Sequence, residues 1–380
     1  MQLRPVLIAA SLATFAAGLG FAESEATMVA GDPQAEYLMQ LFSDSDEVAV
    51  RSLIGNCSID LSTTSALALR WNNEQVVIPA IEAPAGSQEA VDAITTASRP
   101  ISGNAYQEFA KTRNEFVGEV VHDGTALGYY LSSEVDYVGQ QLTVSHNRDF
   151  DEQRLNLSAG VSYGWDAIKP LADDDTQGSP DHKNTVHFNA VATRVLSPVM
   201  VLRVGFEYNI VDGLQHNPYR NVYAGGTNVA ERHPDQRHRC DAFAKLNRYM
   251  GNRSSLKVHY RFYNDDWGIS SHEAGTQLSQ HVTRGLFATY QYRFYTQTPA
   301  RFQREEYETT SGVDGYLTGD YRMSDLDSHL FGVALDFDLN GLAFDHAVLR
   351  RLGFRVDYER YFNSLNYSAN IFTTQLIYRF

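Results

Sequence analysis

Long segments of strict two-residue alternation recur along this chain. Residues 286–296 read LFATYQYRFYT. Leu286, Ala288, Tyr290, Tyr292 and Phe294 fall on one face, and Thr289, Gln291, Arg293 and Tyr295 on the other. LKVHYRFY (256–263), LNLSAGVSYGW (155–165) and LFGVALDFDL (330–339) repeat the pattern. A period of two marks a strand with two chemically different sides. Ordinary strands run about five or six residues. These run about 9 to 13, the length a tilted strand needs to cross a bilayer.

The connections separate a membrane barrel from a soluble sandwich. Strands are expected near residues 47–57, 61–71, 75–95, 112–122, 125–137, 139–149, 153–166, 184–196, 199–212, 236–249, 254–265, 273–282, 286–297, 326–339, 350–362 and 367–380. Every second connection is tight: NNE, DG, FDE, SP, GNR and TRG. Those between are mostly long, the longest spanning residues 213–235 and 298–324. Short turns at one end and long loops at the other are the pattern of an outer-membrane barrel. The stretch NGLAFDHAVLRR breaks the parity by its length. The expected fold is all-β: a transmembrane antiparallel up-and-down β-barrel of about 16 strands (fourteen to eighteen), with long outer loops and short periplasmic turns.

The C-terminus fits. In TQLIYRF and the residues before it, Phe372, Thr374, Leu376, Tyr378 and Phe380 share a face, with Thr373, Gln375, Ile377 and Arg379 on the other. A last strand must still satisfy its backbone groups, and in a closed barrel it does so by pairing with the first. Tyr378 and Phe380 also resemble the C-terminal signal read by the outer-membrane assembly machinery.

At the N-terminus, MQLR carries Arg4, PVLIAASLATFAAGLGF is apolar, and small residues stand at Gly20 and Ala22. This is the layout of a signal peptide, residues 1–22. Residues 23–46 read as a periplasmic tail or small plug, with DPQAEYLMQLF as a short helix, and 47–380 as the barrel. Mean hydropathy is −0.33, and after residue 22 no apolar run reaches the ~18 residues of a spanning helix. With 31 basic against 46 acidic residues the formal charge is −15, which excludes a basic nucleic-acid footprint. Cys57 and Cys240 match no metal motif, and strand placement puts them too far apart to bridge.

If the apolar face meets lipid, the other lines a lumen. The lumen-facing candidates are Glu134, Asp136, Lys245, Arg261, Arg293, Arg355, Asp357 and Glu359. Interspersed signs fit either charged arcs around a water-filled passage or a paired network that fills the interior. The outer loops carry HNPYRNVY, ERHPDQRHR and YRFYNDDWGISSH. They bring Arg220, Glu231, Asp235, Arg237, Arg239, Asp265, Asp266 and Trp267 into one region. Pinning of a folded-in loop by Arg–carboxylate pairs is one reading; a selective constriction or docking site is the other. His216, His233, His238 and His272 show no triad spacing, so no catalytic residue is assigned. DDDTQG (173–178) opens like a calcium loop but has Asn184 at the twelfth position where glutamate is required, so no metal site and no cofactor are assigned.

These stretches carry a resemblance. DAITTASRP, LSSEVDYVG, NPYRNV, ERHPDQR, YRFYNDDWGI and RFYTQTPARF, in this order, resemble the proteobacterial family known as domain of unknown function thirty-five seventy, over about residues 46–380. The resemblance implies an outer-membrane barrel and supplies no substrate. The expected function is a porin-like channel or the barrel component of an export system. The alternatives are a non-conducting or surface-binding barrel with folded-in loops, and then a rim enzyme. Expected partners are outer-membrane lipid and lipopolysaccharide, the assembly machinery and a periplasmic partner protein.

Overall fold

A computed structural model describes residues 34–45, 48–78, 109–171, 178–338 and 351–379. Its strands in chain order are β1 (Gln34–Asp44), β2 (Ala49–Asp60), β3 (Ser65–Ile78), β4 (Phe109–His122), β5 (Thr125–Ser133), β6 (Tyr137–Phe150) and β7 (Leu155–Ile168). β8 (Asp181–Ser197), β9 (Met200–Gly213), β10 (Asn221–Ala224), β11 (Thr227–Ala230), β12 (Gln236–Met250) and β13 (Ser254–Asp265) follow. The last are β14 (Ser270–Thr283), β15 (Leu286–Gln297), β16 (Glu306–Tyr307), β17 (Leu326–Asp338), β18 (Leu352–Asn363) and β19 (Ser368–Arg379). β10, β11 and β16 form a small sheet of their own; the other sixteen close into one antiparallel barrel. β19 completes it against β1, from Gln34↔Arg379 to Asp44↔Ala369.

The alternation decides which side faces out. On β13, Val258, Tyr260 and Phe262 are exposed on the outer wall, while Arg261 points inward to Asp241 of β12. Outward Leu127, Tyr163, Phe206, Tyr290, Phe331 and Leu376 continue this belt around the barrel. A closed barrel with an apolar exterior has no unpaired edge to expose to lipid, and the chain is an outer-membrane β-barrel.

The start of β1 and the end of β19 lie at the same end of the barrel. The connections there include 61–64, 123–124, 151–154, 198–199, 251–253 and 284–285. Asp123 and Gly124 have φ of 48° and 75°, the two positive values of a type I′ hairpin turn. At Gly124 a Cβ would also come within 2.5 Å of the Asn147 carbonyl oxygen. The other end carries 169–171, 178–180, 214–235 and 298–325. By loop length this is the outer end, and Gln34 and Arg379 lie at the periplasmic end.

The N-terminal strands depart from expectation. Residues 34–44, read as tail, plug or helix, are β1. Tyr37, Leu38, Leu41 and Phe42 recur at a spacing that suits a helix, but Tyr37 and Leu41 face out and Phe42 is buried inside. Pairing with β2 and β19 overrides the local pattern. The first expected strands become Ala49–Asp60 and Ser65–Ile78. NNE is not a turn. Asn72 donates to Glu115 Oε2 at 2.6 Å and Asn73 to Asn114 Oδ1 at 2.9 Å, so both are mid-strand residues with cross-strand partners. Of the expected strand 75–95, residues 75–78 end β3; the remainder, with the signal peptide, the rest of 23–33, most of NGLAFDHAVLRR and Phe380, lies outside the described residues.

Part of the inner wall is apolar. Phe42, Val50, Val76, Leu330, Tyr361 and Ile371 form one buried cluster where β1–β3 meet β17–β19. Cys57 and Cys240 are free. Both sit on the outward-facing register. Cys57 is near the periplasmic end of β2, and Cys240 is near the outer end of β12 on the opposite side of the barrel.

Two measurements follow. Placing arginine at the outward Val258 should cost about 2–4 kcal/mol, the figure for a charge at mid-bilayer height, read as a shift in the denaturant midpoint of the lipid-embedded protein. Both cysteines should react with a thiol reagent in denaturant without reductant; a disulfide-blocked pair would contradict the strand placement.

Candidate functional site: a loop cap at the outer mouth

Loops 214–235 and 298–325 fold into one unit. β10 turns through Gly225 and Gly226, with φ of 60° and 84°, to pair with β11. On its other edge it pairs in parallel with β16 of the second loop, Tyr223↔Glu306 and Ala224↔Tyr307. Arg232 bridges to Leu317. Val222, Ala224, Tyr307 and Leu317 are buried between the loops. Beside them Trp267 and Ile269, from the β13–β14 connection, pack with Ala300 and Phe302. The Trp267 indole donates to the Gln236 carbonyl at 2.9 Å.

Charge is buried within this unit. Arg220 Nη1 lies 2.6 Å from Asp320 Oδ2, and both side chains are almost wholly enclosed. Arg322 Nη2 meets the same oxygen at 2.7 Å. Burial opposes ionisation of Asp320, but Arg322 and Arg220 together outweigh it and hold its carboxyl well below the usual range. Glu231 Oε1 accepts from the Thr318 hydroxyl at 2.7 Å and the Gly319 N–H at 2.9 Å. Its Oε2 stands 3.6 Å from His233 Nε2. His233 Nδ1 is 3.2 Å from the Gln215 carbonyl, which can only accept, so the proton sits on Nδ1 and the neutral ring turns a lone pair toward Glu231. Two lone pairs then oppose each other unless a proton lies between them. Burial, reinforced by Asp320, raises Glu231 to about 7. Burial lowers His233 to about 3 and also lowers His216.

The cap is tied down at both flanks. The Tyr219 hydroxyl donates to Asp136 Oδ2 at 2.5 Å, and the Leu171 N–H donates to Tyr219 at 2.9 Å. One loop thus reaches the β5–β6 connection while Arg220 holds it to the loop before β17. Below, Arg237 pairs with Asp265 and lies 4.2 Å above the Trp267 ring.

The loop candidates are therefore divided. Arg237, Asp265 and Trp267 meet. Arg220 and Glu231 join the same cap through residues of 298–325. Asp235 and Asp266 are exposed at its edge: the Asp235 carbonyl accepts from Gly213 and Asp266 Oδ1 from the His238 N–H at 3.0 Å. Arg239 is inward on β12, beside Arg237 and Tyr263. The sequence reading missed Asp320, Arg322, Thr318 and Tyr219. Asp320 and Arg322 stand two apart, the one local hint of a charged clamp.

Among the lumen candidates, Glu134 pairs with Lys111 and Asp136 takes Tyr219. Arg261 meets Asp241 at 2.9 Å and Arg293 meets Glu273 at 3.7 Å. Arg355 bridges Asp336 and Asp357 at 3.1 and 3.0 Å. Glu359 accepts from Gln291, and Lys245 lies 5.4 Å over the Phe243 ring. Tyr378 pairs opposite Ala35 and Leu352. Among the described residues no group of three His, Cys, Asp or Glu is placed to hold a metal ion; residues 172–177 of the acidic loop lie outside them.

Residues 174–361 match the family described as "Protein of unknown function (DUF3570)". This is just under half of the chain, and it contains both cap loops. No curated protein matches the chain. Among solved structures, it resembles the siderophore receptor PirA from Acinetobacter baumannii at 11% identity and TM-score 0.44, covering 87% of this chain and 52% of that one. The outer membrane protein OpdK from Pseudomonas aeruginosa aligns at 9% identity and TM-score 0.44, over 92% and 98%. A loop-deleted OmpT of Vibrio cholerae aligns at 9% and 0.40, over 92% and 98%. Each is a weak likeness of barrel to barrel, and the chain spans about half the length of the siderophore receptors it matches.

Replacing Arg220 by alanine leaves Asp320 buried beside Arg322 alone. Because Arg322 remains, the cost should stay below the ~3–5 kcal/mol of a fully unpaired buried charge, and limited proteolysis should cut within 214–235 and 298–325 while heat-modifiable migration of the barrel persists. The cap should also depend on pH. Glu231, raised from 4.5 to about 7, contributes stability that is full below 4.5 and lost as pH rises through about 7. His233, lowered from 6.5 to about 3, contributes stability that is full above 6.5 and lost as pH falls toward 3, and depressed Asp320 adds to that acid limb. Between 4.5 and 6.5 the first two oppose each other. Protease resistance of the cap should plateau there and fall on both sides, and Glu231→Gln should remove the alkaline fall and turn the plateau into a continued rise up to about pH 6.5.

Proposed function

We propose that the chain belongs to the DUF3570 family along its whole barrel and is an outer-membrane transport barrel whose outer mouth is narrowed by a fixed cap. The observation that carries this reading is the interlocking of loops 214–235 and 298–325 through buried Arg220–Asp320, with Tyr219 tied to the far flank. A loop that served only as a solvated surface has no reason to bury a guanidinium, a carboxylate and Glu231 together, because such groups are costly to enclose unless paired.

The inner wall gives the passage a sign. On β9 to β15, inward Arg203, Arg239, Lys245, Arg261 and Arg293 outnumber Glu207, Asp241 and Glu273. On β17 and β18, Asp336, Asp357 and Glu359 outnumber Arg355. A water-filled lumen with these walls favours small polar solutes that carry negative charge along the basic side. A second reading, a non-conducting barrel whose cap receives a surface ligand, draws support from the compactness of the β11–β10–β16 sheet.

Single-channel recording in planar bilayers separates the two. Small, anion-preferring steps are expected from the intact protein, and larger ones from Arg220→Ala. Large steps from the intact protein would refute the narrowing by the cap. Silence from both, with migration showing a folded barrel, would transfer the function to the outer surface of the cap.

A further inference from the structure

The lipid-facing wall repeats one arrangement near the outer end of six of the eight outer hairpins. The Tyr129 hydroxyl on β5 donates to Gln140 Oε1 on β6 at 2.8 Å. Tyr163 on β7 donates to Asn184 Oδ1 on β8 at 3.2 Å, and Tyr358 on β18 to Asn370 Oδ1 on β19 at 2.8 Å. In three consecutive hairpins histidine takes the amide's place. Tyr208 lies 2.9 Å from His238 Nδ1, Tyr260 2.7 Å from His272 Nδ1, and Tyr292 3.0 Å from His329 Nδ1.

The register is the same each time. The tyrosine stands opposite the residue two beyond its partner: Leu142, Val186, Cys240, Ala274, Phe331 and Phe372 in turn. The two remaining outer hairpins keep the station. Asn114 holds it on β4, with Trp71 opposite Phe116, and Arg51 holds it on β2, with Met39 opposite Leu53.

An aromatic belt at the membrane–water boundary is ordinary for a barrel. One step outward from it stand the partner residues themselves. The phenols donate to the amide oxygens, so each amide keeps its N–H bonds for another partner. A phenol that donates to Nδ1 in the same way would leave the histidine proton on Nε2. All eight stations then present an N–H donor, and none is acidic in a chain with 46 carboxylate residues against 31 basic ones. On this face Asp212 and Asp327 come only two residues further out, opposite Gln236 and Thr296. Donors at headgroup height, with carboxylates excluded, fit an anionic oxygen ligand.

We propose that this belt binds the phosphate groups of outer-leaflet lipid, and that the histidine arc from β12 to β17 is its principal contact. The arc lies directly under the cap: the His238 backbone is bonded to Asp266, next to the Arg237–Asp265 pair. The proposal is independent of whether the lumen conducts.

The test is native mass spectrometry of the full chain, released from detergent with lipid A in phosphorylated or dephosphorylated form. The intact protein should retain the phosphorylated lipid severalfold better. A triple His→Glu variant at 238, 272 and 329 keeps an acceptor for each tyrosine but replaces the donor with a carboxylate, and should lose the preference. A triple His→Asn variant copies the chain's own Asn184 and Asn370 stations and should keep most of it. Equal retention of the two lipids by the intact protein would overturn the proposal, as would an undiminished preference in the glutamate variant. If that variant does not assemble, Tyr→Phe at 208, 260 and 292 frees the imidazoles to turn, and an unchanged preference there would count equally against an oriented donor belt.

Discussion

The backbone in lipid leaves this chain one solution. No water is present in the hydrocarbon layer to receive an unpaired N–H or C=O, and each one left exposed there costs several kcal/mol. The pairing of β1 with β19, from Gln34↔Arg379 onward, is therefore the contact on which every other strand depends. Without it two edges would open into lipid. With it, side-chain chemistry is free to differ completely between the two walls.

That division explains how much could be read from residues alone. Lipid outside and polar contacts inside give each strand position one favoured chemistry, so β13, β15 and β19 stand out by alternation. The sign of the connections was equally legible, because tight periplasmic turns such as Asp123–Gly124 need particular backbone angles. β1 was not legible: its apolar residues fit a helix as well as a strand, and only its neighbours choose. Counting sixteen strands rested on an exchange, with β1 missed and 75–95 counted in its place. In the cap, Arg220 and Glu231 were conspicuous as charges in an ordered-looking loop. Their partners were not, since nothing local says that Arg220 will meet Asp320 and Glu231 will meet Thr318.

The cap and the wall obey different rules. Inward carboxylates such as Asp241 and Asp336 are matched across neighbouring strands, where register brings the partners together at fixed spacing. In the cap the partners come from loops separated by four strands, and the match holds only while both loops keep their folds. The small β11–β10–β16 sheet supplies that constancy, and the Glu231–His233 contact is where it is most sensitive to a single proton.

The two cysteines give the placement of the walls a further meaning. Cys57 and Cys240 face outward on opposite strands, one toward each end of the barrel. Once inserted, both thiols border lipid, out of reach of water-soluble oxidants and of each other. Before insertion neither shelter exists, and the unfolded chain carries two thiols through an oxidising compartment. Membrane insertion is thus also the step that protects its cysteines, and slow assembly would be recorded in the protein as covalent damage.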